Sequence, residues 1–440
     1  MILVVGGGIT GMAASRTLAE AGEEHLVAER EAQPGGWCRS LRADGYTFDM
    51  SGHFLHVSDP RMKEWILGLG GIPWKTVRRD ARVFLRGTVT PFPFQANLHG
   101  HPPAMVRRCL TDFAAERIRE SLAGGGRPSP NFDRWLLNRF GRAMCAEFFF
   151  PYNRKLWCAS LAGIEPSWTS WSVPVPSFEE LLAGARGEVR EGMGYNPSFL
   201  YPSRGGIGTL PARLERGVWK RIRTGTEVVR IDLSKKRAWS AGGEEIRFDA
   251  VISTVPLPSL SSICAPVSTA VREAAGRLRW VKVLAVNLGV RSPRSTHGHW
   301  AYVPEKRYPF YRVGFLSNVC PSAAPEGCAS VCAETGFPSG AEVDVPGEVR
   351  KTLSGLRRMG VLRSGQEPEA LRAELLDPAY VVYDHARGKA VETLRGHFRR
   401  RGVFTAGRYG AWVYNGMEAS MADGIRAAKE ALRFVGNGTG

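Results

Sequence analysis

The chain has 440 residues, of which 43% are hydrophobic and 23% charged, and its formal net charge is +17. This length and composition predict two or three folded domains and exclude a disordered chain. No apolar run reaches the roughly 18 residues that a membrane-spanning helix needs. No signal peptide precedes the strand-like segment at residues 1–5, so we expect a cytoplasmic protein that is not inserted in a membrane.

The positive charge and the cysteines indicate which chemistry to expect. Arginines outnumber lysines and are spread along the chain without a dense block. That distribution favours a compositional bias over a nucleic-acid-binding surface, although part of the excess would attract an anionic ligand. The eight cysteines include no CxxC pair and the nine histidines no HExxH motif, so we predict neither a disulfide framework nor a metal site.

The hydrophobic pattern predicts a strand, a glycine-rich turn, a helix and a second strand over residues 1–30. Residues 100–190 are mainly helical in pattern and include an amphipathic helix at 132–144. Two short β-branched runs, 226–233 and 249–255, are of the kind that rejoins a parallel sheet. The later segments predict strands at 283–290, 300–304, 311–316 and 330–334 and a final strand–turn–helix unit at 402–432.

A dinucleotide-binding fingerprint lies in the first unit. Gly6, Gly8 and Gly11 form a GxGxxG motif that closes a strand and opens a helix. The first glycine permits the tight turn, the second the close approach of a pyrophosphate, and the third the packing of helix on strand. The helix N-terminus would then meet the pyrophosphate. Glu29 ends the next strand, where its carboxylate would accept hydrogen bonds from an adenosine ribose.

Two further segments indicate FAD rather than NAD. Residues 33–40 contain a pair of glycines followed by Arg39, similar to the second signature of FAD enzymes of the glutathione-reductase and amine-oxidase type. Residues 403–408 and the following helix resemble the third signature, whose helix N-terminus faces the ribityl chain and the flavin ring. The predicted cofactor-binding residues are Gly6, Gly8, Gly11, Glu29, Gly36, Arg39, Gly52, Val228, Gly407, Met417 and Ser420.

The first and third signatures lie at opposite ends of the chain, so the FAD-binding unit is built from separate pieces. We predict an α/β fold with a discontinuous Rossmann-type FAD-binding domain, an inserted helical domain and an antiparallel β-sheet domain. The predicted bounds are 1–98, 204–278 and 386–440 for the FAD-binding domain, 99–192 for the helical substrate domain, and 193–203 with 279–385 for the antiparallel-sheet substrate domain.

Several strings outside the FAD signatures carry a family resemblance. In chain order they are residues 49–53, 93–97, 150–157, 201–206, 300–302, 309–312 and 407–414. Together they resemble UDP-galactopyranose mutases of the eukaryotic type, over nearly the whole chain. In that family, N5 of reduced FAD attacks the anomeric carbon of the sugar, UDP leaves, and the ring closes through a different hydroxyl group.

The resemblance implies an isomerase that interconverts the pyranose and furanose forms of UDP-galactose or a related nucleotide sugar without net redox change. NADPH or NADH would reduce the flavin. His53 matches the family histidine beside the flavin, and Asn196 and Arg408 match sugar-side positions near it; with Arg312 they are the predicted catalytic residues. The predicted uridine site is Phe94, Gln95, Asn153 and Trp157, and the predicted diphosphate clamp is Tyr302, Arg312, Tyr380 and Tyr414.

Two departures from the family pattern bear on the substrate. Ser172 stands where the family has an arginine, and residues 416–418 replace a longer segment. Loss of an arginine near the sugar or phosphate would change what is recognised there. The resemblance therefore predicts the nucleotide-sugar class rather than galactose or uracil in particular.

Two other interpretations stay open. A flavin oxidase or desaturase of the protoporphyrinogen-oxidase or amine-oxidase type would share only the FAD-binding domain and would have an apolar substrate tunnel. A non-enzymatic basic binding protein would bind DNA with a steep salt dependence. The combination of Arg312 with several tyrosines favours the mutase over the oxidase, because these groups bind phosphate.

Overall fold

The computed structural model describes residues 1–125, 127–169, 173–188, 196–291 and 297–437. Ser172, where the sequence departs from the family pattern, lies outside these residues. The strands are β1 (Ile2–Val5), β2 (His25–Ala28), β3 (Ser40–Ala43), β4 (Tyr46–Asp49), β5 (Trp74–Arg78), β6 (Ala81–Leu85), β7 (Thr88–Pro91), β8 (Ser198–Pro202), β9 (Ile222–Arg223), β10 (Val228–Asp232), β11 (Arg237–Ser240), β12 (Glu245–Arg247), β13 (Ala250–Ser253), β14 (Cys264–Ala265), β15 (Trp280–Arg291), β16 (Trp300–Tyr302), β17 (Arg312–Phe315), β18 (Cys328–Pro338), β19 (Ala370–Val381) and β20 (Val403–Thr405). The helices are α1 (Ile9–Glu20), α2 (Pro60–Gly68), α3 (Pro103–Leu122), α4 (Phe132–Met144), α5 (Phe150–Trp157), α6 (Phe178–Ala185), α7 (Thr209–Arg216), α8 (Leu257–Ile263), α9 (Thr269–Arg277), α10 (Leu316–Val319), α11 (Val345–Met359), α12 (Arg387–Arg399), α13 (Gly407–Gly410) and α14 (Met417–Gly436).

A five-stranded parallel sheet in the order β20-β13-β1-β2-β9 forms the centre of one half of the molecule. Strands β1, β2, β13 and β20 are buried along their whole length, as expected for parallel strands that are covered on both faces. Helices α1 and α14 approach so closely that a Cβ at Gly424 would lie 2.2 Å from the Thr10 carbonyl oxygen. The predicted Rossmann-type unit and its strand at 249–255 are confirmed.

The run at residues 226–233 does not join this sheet, contrary to the prediction. Its strand β10 is antiparallel to β11 and parallel to β14, in a separate four-stranded sheet. The cause is the turn that follows β10. The Asp232 carboxylate accepts hydrogen bonds from the amides of Ser234 and Lys235 at 3.0 and 2.8 Å, and Lys236 adopts a φ of 51°. This turn sends the chain back as a hairpin, which β-branched composition alone does not reveal.

A seven-stranded sheet in the order β19-β15-β18-β17-β16-β6-β7 forms the other half. It contains the predicted antiparallel strands, of which β15 and β18 are longer than expected. Strands β6 and β7 come from residues 81–91, within the predicted bounds of the FAD-binding domain, and β6 pairs in parallel with β16. Strand β8, within the predicted bounds of the sheet domain, pairs with β5, and the domain bounds stay a prediction. Strands β5 and β8 form a separate two-stranded sheet, whereas β6 and β7 belong to the seven-stranded sheet.

The described part of residues 100–190 is mainly helical, as predicted, and its central helix is interrupted. A π turn at Cys145–Phe149 separates α4 from α5. Pro151 accounts for this turn, because proline lacks an N–H and its ring excludes the carbonyl group four residues earlier. The wider turn rotates α5 relative to α4. Helix α5 carries Tyr152, Asn153 and Trp157, and it packs Tyr152 and Trp157 into the hydrophobic cluster that includes residues of the large sheet.

Candidate active site

A cavity of about 520 Å³ opens at the carboxyl ends of β1, β2, β13 and β20. Ligands of open α/β folds bind at this edge of the sheet. The lining includes most of the predicted cofactor-binding residues, together with two predicted catalytic residues: Gly6, Gly8, Glu29, Gly36, Arg39, His53, Val228, Gly407, Arg408, Met417 and Ser420. Gly11 lies beneath the loop instead, where a Cβ would be 1.9 Å from the Gly6 carbonyl oxygen.

The glycine-rich loop leaves the start of α1 accessible to a ligand. Gly8 is the N-cap of α1 and no side chain caps the helix, so its first N–H groups and positive dipole are available for an anion. Gly6 has a φ of 101°, which only glycine adopts without strain. Across the cavity, Gly35 pairs with Gly8, and a Cβ at Gly36 would lie 3.4 Å from the Gly8 Cα. This close passage suits a pyrophosphate.

Glu29 lies at the end of β2 and fixes the loop geometry. Its Oε2 accepts a hydrogen bond from the Gly7 amide at 2.6 Å, and its Oε1 accepts one from the Glu31 amide at 2.8 Å. Each carboxylate oxygen keeps a second lone pair. The side chain can therefore hold the loop and still accept a hydrogen bond from a hydroxyl group in the cavity.

At the other end of the cavity, the start of α14 is also uncapped by a side chain. Met417 and Ser420 line the cavity there, and Ser420 Oγ donates to Asn415 Oδ1 at 3.0 Å. The Gly407 amide is held by Asp423 Oδ2 at 2.6 Å, which joins α13 to α14. Asn415 was missed from the sequence because its only signal is its position just before a helix N-terminus.

Arg408 is half-buried in the cavity wall. Its guanidinium donates to the Asn415 carbonyl oxygen at 3.0 Å and to the Ala379 carbonyl oxygen at 3.4 Å, and it lies 5.8 and 5.4 Å from the rings of Tyr380 and Tyr414. Among the described residues, no carboxylate lies within ion-pairing distance of it. An interior cation with only neutral partners is suited to an anionic ligand or to an electron-rich ring.

His53 lines the cavity, and both predicted catalytic arginines lie near enough to act on its charge. Its Nδ1 is 3.2 Å from the Ser51 carbonyl oxygen, and because that oxygen only accepts, Nδ1 carries the proton. The pKa of His53 is lowered to about 4, mainly by burial and then by the positive charges of Arg408 and Arg312. The Glu334 carboxylate and the Ser51 carbonyl act in the opposite direction. His53 is therefore neutral at neutral pH, with Nε2 as a hydrogen-bond acceptor.

Arg312 is held by a buried glutamate that the sequence analysis missed. Tyr302, Arg312 and Glu334 lie in one row across β16, β17 and β18. The guanidinium donates through Nε to Glu334 Oε2 at 3.0 Å and through an Nη to Oε1 at 2.6 Å. Burial alone would raise the pKa of Glu334, but Arg312 and the other donors hold it below its usual value. A lone glutamate in the apolar predicted strand 330–334 was the available signal.

Glu334 also reaches the segment that carries His53. Its Oε1 accepts hydrogen bonds from Ser51 Oγ and from the Gly52 amide, both at 3.0 Å, and its Oε2 accepts one from Tyr311 Oη at 2.7 Å. A Cβ at Gly52 would lie 2.9 Å from an Nη of Arg312, so a larger residue would require the guanidinium to shift from its place beside Glu334. Gly52, predicted to bind the cofactor, thus contacts the Arg312–Glu334 pair in the described structure.

The predicted clamp tyrosines come together around a fourth phenol, Tyr152. The Tyr152 ring lies 5.4 Å from that of Tyr302, and the Tyr380 ring lies 5.8 Å from that of Tyr414. Burial raises the pKa of Tyr152, Tyr302 and Tyr414. These phenols stay protonated and can donate hydrogen bonds to an anion. Tyr152 was missed although it stands inside the string 150–157 on which the resemblance partly rests.

The predicted uridine residues lie in the helical core. Phe94 is fully buried and stacks on Phe148 at 4.9 Å. Asn153 donates to the Phe149 carbonyl oxygen at 2.8 Å, and Gln95 donates through Nε2 to the Pro174 carbonyl oxygen at 2.8 Å. Gln95 Oε1 and Trp157 Nε1 are buried and have no hydrogen-bond partner in the described part of the chain. These two atoms are an acceptor and a donor that a ligand could satisfy.

Asn196, a predicted catalytic residue, is the first residue of a described range. It is half-buried with a φ of 55°, a conformation that asparagine tolerates better than most residues. It adjoins residues 189–195, which lie outside the described ranges. Its role therefore stays a prediction.

The cavity matches a dinucleotide in shape and charge. It offers two uncapped helix N-termini, a glycine cradle and Glu29 at one end, and His53 and Arg408 at the other. The chain also matches the family model of flavin containing amine oxidoreductases over residues 9–432. The chain belongs to this family. Its cofactor is FAD, as predicted, and the residues of the cavity fit that group.

Two proteins with similar sequences have names that give different activities. Protoporphyrinogen oxidase of Bos taurus is 25% identical over 349 residues, which is 68% of this chain and 69% of that protein. A 4,4'-diapophytoene desaturase of Staphylococcus haemolyticus (strain JCSC1435) is 41% identical over 58 residues only, 13% of this chain and 12% of that protein. This chain is similar to both proteins, and neither similarity identifies the substrate of this chain.

The solved structures that resemble this chain include a reduced UDP-galactopyranose mutase. The TM-score is 0.91 at 24% identity, with 98% of this chain and 95% of that chain covered. Putrescine oxidase bound to putrescine has a TM-score of 0.67 at 15% identity, with 98% of both chains covered. At these identities the likeness establishes the fold, and the predicted α/β architecture is confirmed. No described helix is long and apolar enough to cross a membrane.

Proposed function

We propose that this protein is an FAD-dependent nucleotide-sugar mutase that interconverts pyranose and furanose forms, with UDP-galactopyranose and UDP-galactofuranose or a related pair as substrates. One observation carries the proposal. Beside the FAD cavity, Arg312 and Arg408 lie within a group of phenols, Tyr152, Tyr302 and the Tyr380–Tyr414 pair. This group of side chains, which we call the chamber, is polar and cationic, as a diphosphate requires and an apolar substrate does not.

The chain's own groups would bind and orient the nucleotide sugar. Arg408 has no carboxylate partner among the described residues, so a phosphate would compensate its charge. Nε and one Nη of Arg312 already donate hydrogen bonds to Glu334, so only the remaining N–H groups of its guanidinium can reach a ligand. The phenols would add neutral donors, which strengthen as negative charge develops on the departing diphosphate.

His53 would orient the flavin or the sugar by accepting a hydrogen bond, and it would not donate a proton to the substrate. With Nδ1 donating to Ser51 and the pKa lowered to about 4, its Nε2 can accept a hydrogen bond from the flavin edge or from a sugar hydroxyl. In this proposal, reduced FAD supplies the nucleophile for the anomeric carbon, and NADPH or NADH reduces it. Gln95 Oε1 and Trp157 Nε1 would contact the nucleobase, and Asn196 would lie beside the sugar.

The fold supports this proposal. The TM-score of 0.91 to reduced UDP-galactopyranose mutase covers the inserted helices and the large sheet as well as the FAD-binding part. The value for putrescine oxidase is 0.67 at the same coverage of this chain. The fold of the whole chain is therefore closer to that of the mutase than to that of putrescine oxidase.

A second candidate function is an FAD-dependent oxidase of the protoporphyrinogen-oxidase type. The observation that favours it is the sequence match to the Bos taurus protein over 349 residues. This candidate requires an apolar substrate chamber and net electron transfer from the substrate to the flavin and then to oxygen. Arg408 argues against it, because it has no carboxylate partner among the described residues and an apolar substrate would leave its charge uncompensated.

One assay separates the two functions. The purified protein, reduced anaerobically with dithionite, is offered UDP-galactofuranose and other nucleotide furanoses, and the products are resolved by chromatography. We expect conversion to the pyranose by the reduced protein and none by the oxidised protein, which serves as the control. Oxygen consumption with protoporphyrinogen, together with inactivity towards every nucleotide sugar, would overturn the proposal in favour of the oxidase.

A further inference from the structure

Lys155 lies on α5, between the predicted uridine residues Asn153 and Trp157, and it bonds to the neighbouring hairpin. Its Nζ donates to the carbonyl oxygens of Val303 at 2.8 Å, Glu305 at 3.2 Å and Phe310. Three acceptors match the three N–H donors of an ammonium group. All three belong to the connection between β16 and β17, which starts after Tyr302 and ends before Arg312.

The backbone of Lys155 is held on its other side by β18. A Cβ at Gly336 would lie 2.7 Å from the Lys155 carbonyl oxygen, so only glycine permits the helix to pass this close to the strand. The same carbonyl accepts a hydrogen bond from Cys158 Sγ at 3.3 Å. Strand β18 also carries Glu334, the partner of Arg312. Lys155 is thus bonded to the β16–β17 connection through its side chain and packed against β18 through its backbone.

The helix held in this way carries the aromatic wall of the chamber. Tyr152 packs against Tyr302 and Tyr311 with ring centroids 5.4 and 6.4 Å apart. Trp157 packs against Tyr414 and Tyr380 at 5.9 and 6.3 Å. The distance between α5 and the hairpin therefore sets how far Tyr152 lies from Tyr302 and Tyr311.

We propose that Lys155 is a positioning residue that fixes α5 to the β16–β17 hairpin and so sets the spacing between the uridine residues and the diphosphate clamp. This inference rests on the proposed function, because it assigns the chamber to a nucleotide diphosphate. Lys155 does not touch the reacting atoms in this scheme. It acts through Tyr152 and Trp157 on one side and through Tyr302 and Arg312 on the other.

The hydrogen bonds of the charged Lys155 side chain favour a positioning role over direct binding of an anionic ligand. Burial lowers its pKa to about 7, and the carboxylate of Glu305 acts in the opposite direction. The three carbonyl acceptors stabilise the ammonium form, because a neutral amine has only two N–H donors. The tests below are therefore run near pH 6, where the side chain is charged.

The test compares Lys155→Met with Lys75→Met. Methionine keeps the length of the side chain and removes its donors, and Lys75 is a matched control because its Nζ also donates to a backbone carbonyl, that of Val319, away from the chamber. UDP is titrated into each reduced holoprotein and followed by the flavin absorbance. For Lys155→Met we expect UDP to bind about tenfold more weakly, as for loss of one charged hydrogen bond, with kcat at saturating nucleotide sugar within about threefold of the parent.

The outcomes separate the inference from the function on which it rests. If the parent protein binds UDP and Lys155→Met binds it equally well, Lys155 does not position the chamber. If Lys155→Met loses FAD or fails to fold, Gly336→Ala replaces it, because the added methyl group displaces α5 while the ammonium stays; unchanged UDP affinity in that variant overturns the inference. If the parent protein ignores UDP and other nucleoside diphosphates, the proposed function fails and the inference falls with it.

Discussion

The two arginines of the candidate site have opposite surroundings. Arg312 is paired along two edges with Glu334, whose side chain is only 2% exposed. Arg408 donates to the carbonyl oxygens of Asn415 and Ala379 and lies over two tyrosine rings, with no carboxylate partner among the described residues. One positive charge is neutralised inside the fold and the other is not.

This difference separates structural from chemical roles. Removing one member of a buried ion pair leaves the other charge unpaired, which is costly to the fold. Removing a charge that has only neutral partners costs the fold little and deprives an anionic ligand of its partner. Arg312 should therefore be more important for stability than Arg408, and Arg408 more important for turnover than for stability.

Arg312→Ala should have the largest effect on stability. Among the described residues, it leaves the buried Glu334 carboxylate with only Tyr311, Ser51 and Gly52 as donors. We expect the free energy of unfolding of the holoprotein to fall by about 3–5 kcal/mol, measured by urea denaturation. Arg312→Gln combined with Glu334→Gln should recover much of this loss, because no charge is then left unpaired. A single variant as stable as the parent protein would contradict the comparison.

Arg408→Gln should leave stability nearly unchanged and reduce turnover. We expect the free energy of unfolding to change by less than about 1 kcal/mol. Turnover should fall by about 10²–10³-fold, the usual effect of losing one positioned group that stabilises developing charge. Arg279→Gln is the matched control, since Arg279 is 77% exposed and its nearest carboxylate, on Asp384, is 3.9 Å away. A fall in stability with turnover intact would reverse the assigned roles.

The sequence predicted the parts of the site that depend on short-range patterns. Gly6, Gly8 and Glu29 lie within one strand–turn–helix–strand unit, so their spacing alone brings them to the edge of the sheet. The Arg312–Glu334 pair depends on the register between β17 and β18, which no local pattern specifies. The strand at 228–232 joins a different sheet from the predicted one because the local Asp232 turn, rather than β-branched composition, decides its pairing.

His53→Ala tests the segment that joins the two arginines. His53 lines the FAD cavity, and the adjacent residues Ser51 and Gly52 donate to Glu334. We expect FAD to remain bound, because the pyrophosphate site is distant along the cavity, and turnover to fall by about 10²-fold. His56→Ala is the control, since His56 contacts the Ser198 carbonyl oxygen outside the cavity lining. Turnover equal to that of the parent protein would remove His53 from the site.

The smallest expected effect concerns the charge of His53. Its pKa is lowered to about 4, first by burial and then by Arg408 and Arg312. Its imidazole should therefore stay neutral between about pH 5 and 8, and protonation should begin only as the pH falls towards 4. In a proton NMR titration, the resonance that disappears in His53→Gln should not move over that range, and a midpoint near 6.5 would contradict the assignment. Glu334→Gln should lower this pKa further, because it removes the one negative charge that offsets both arginines.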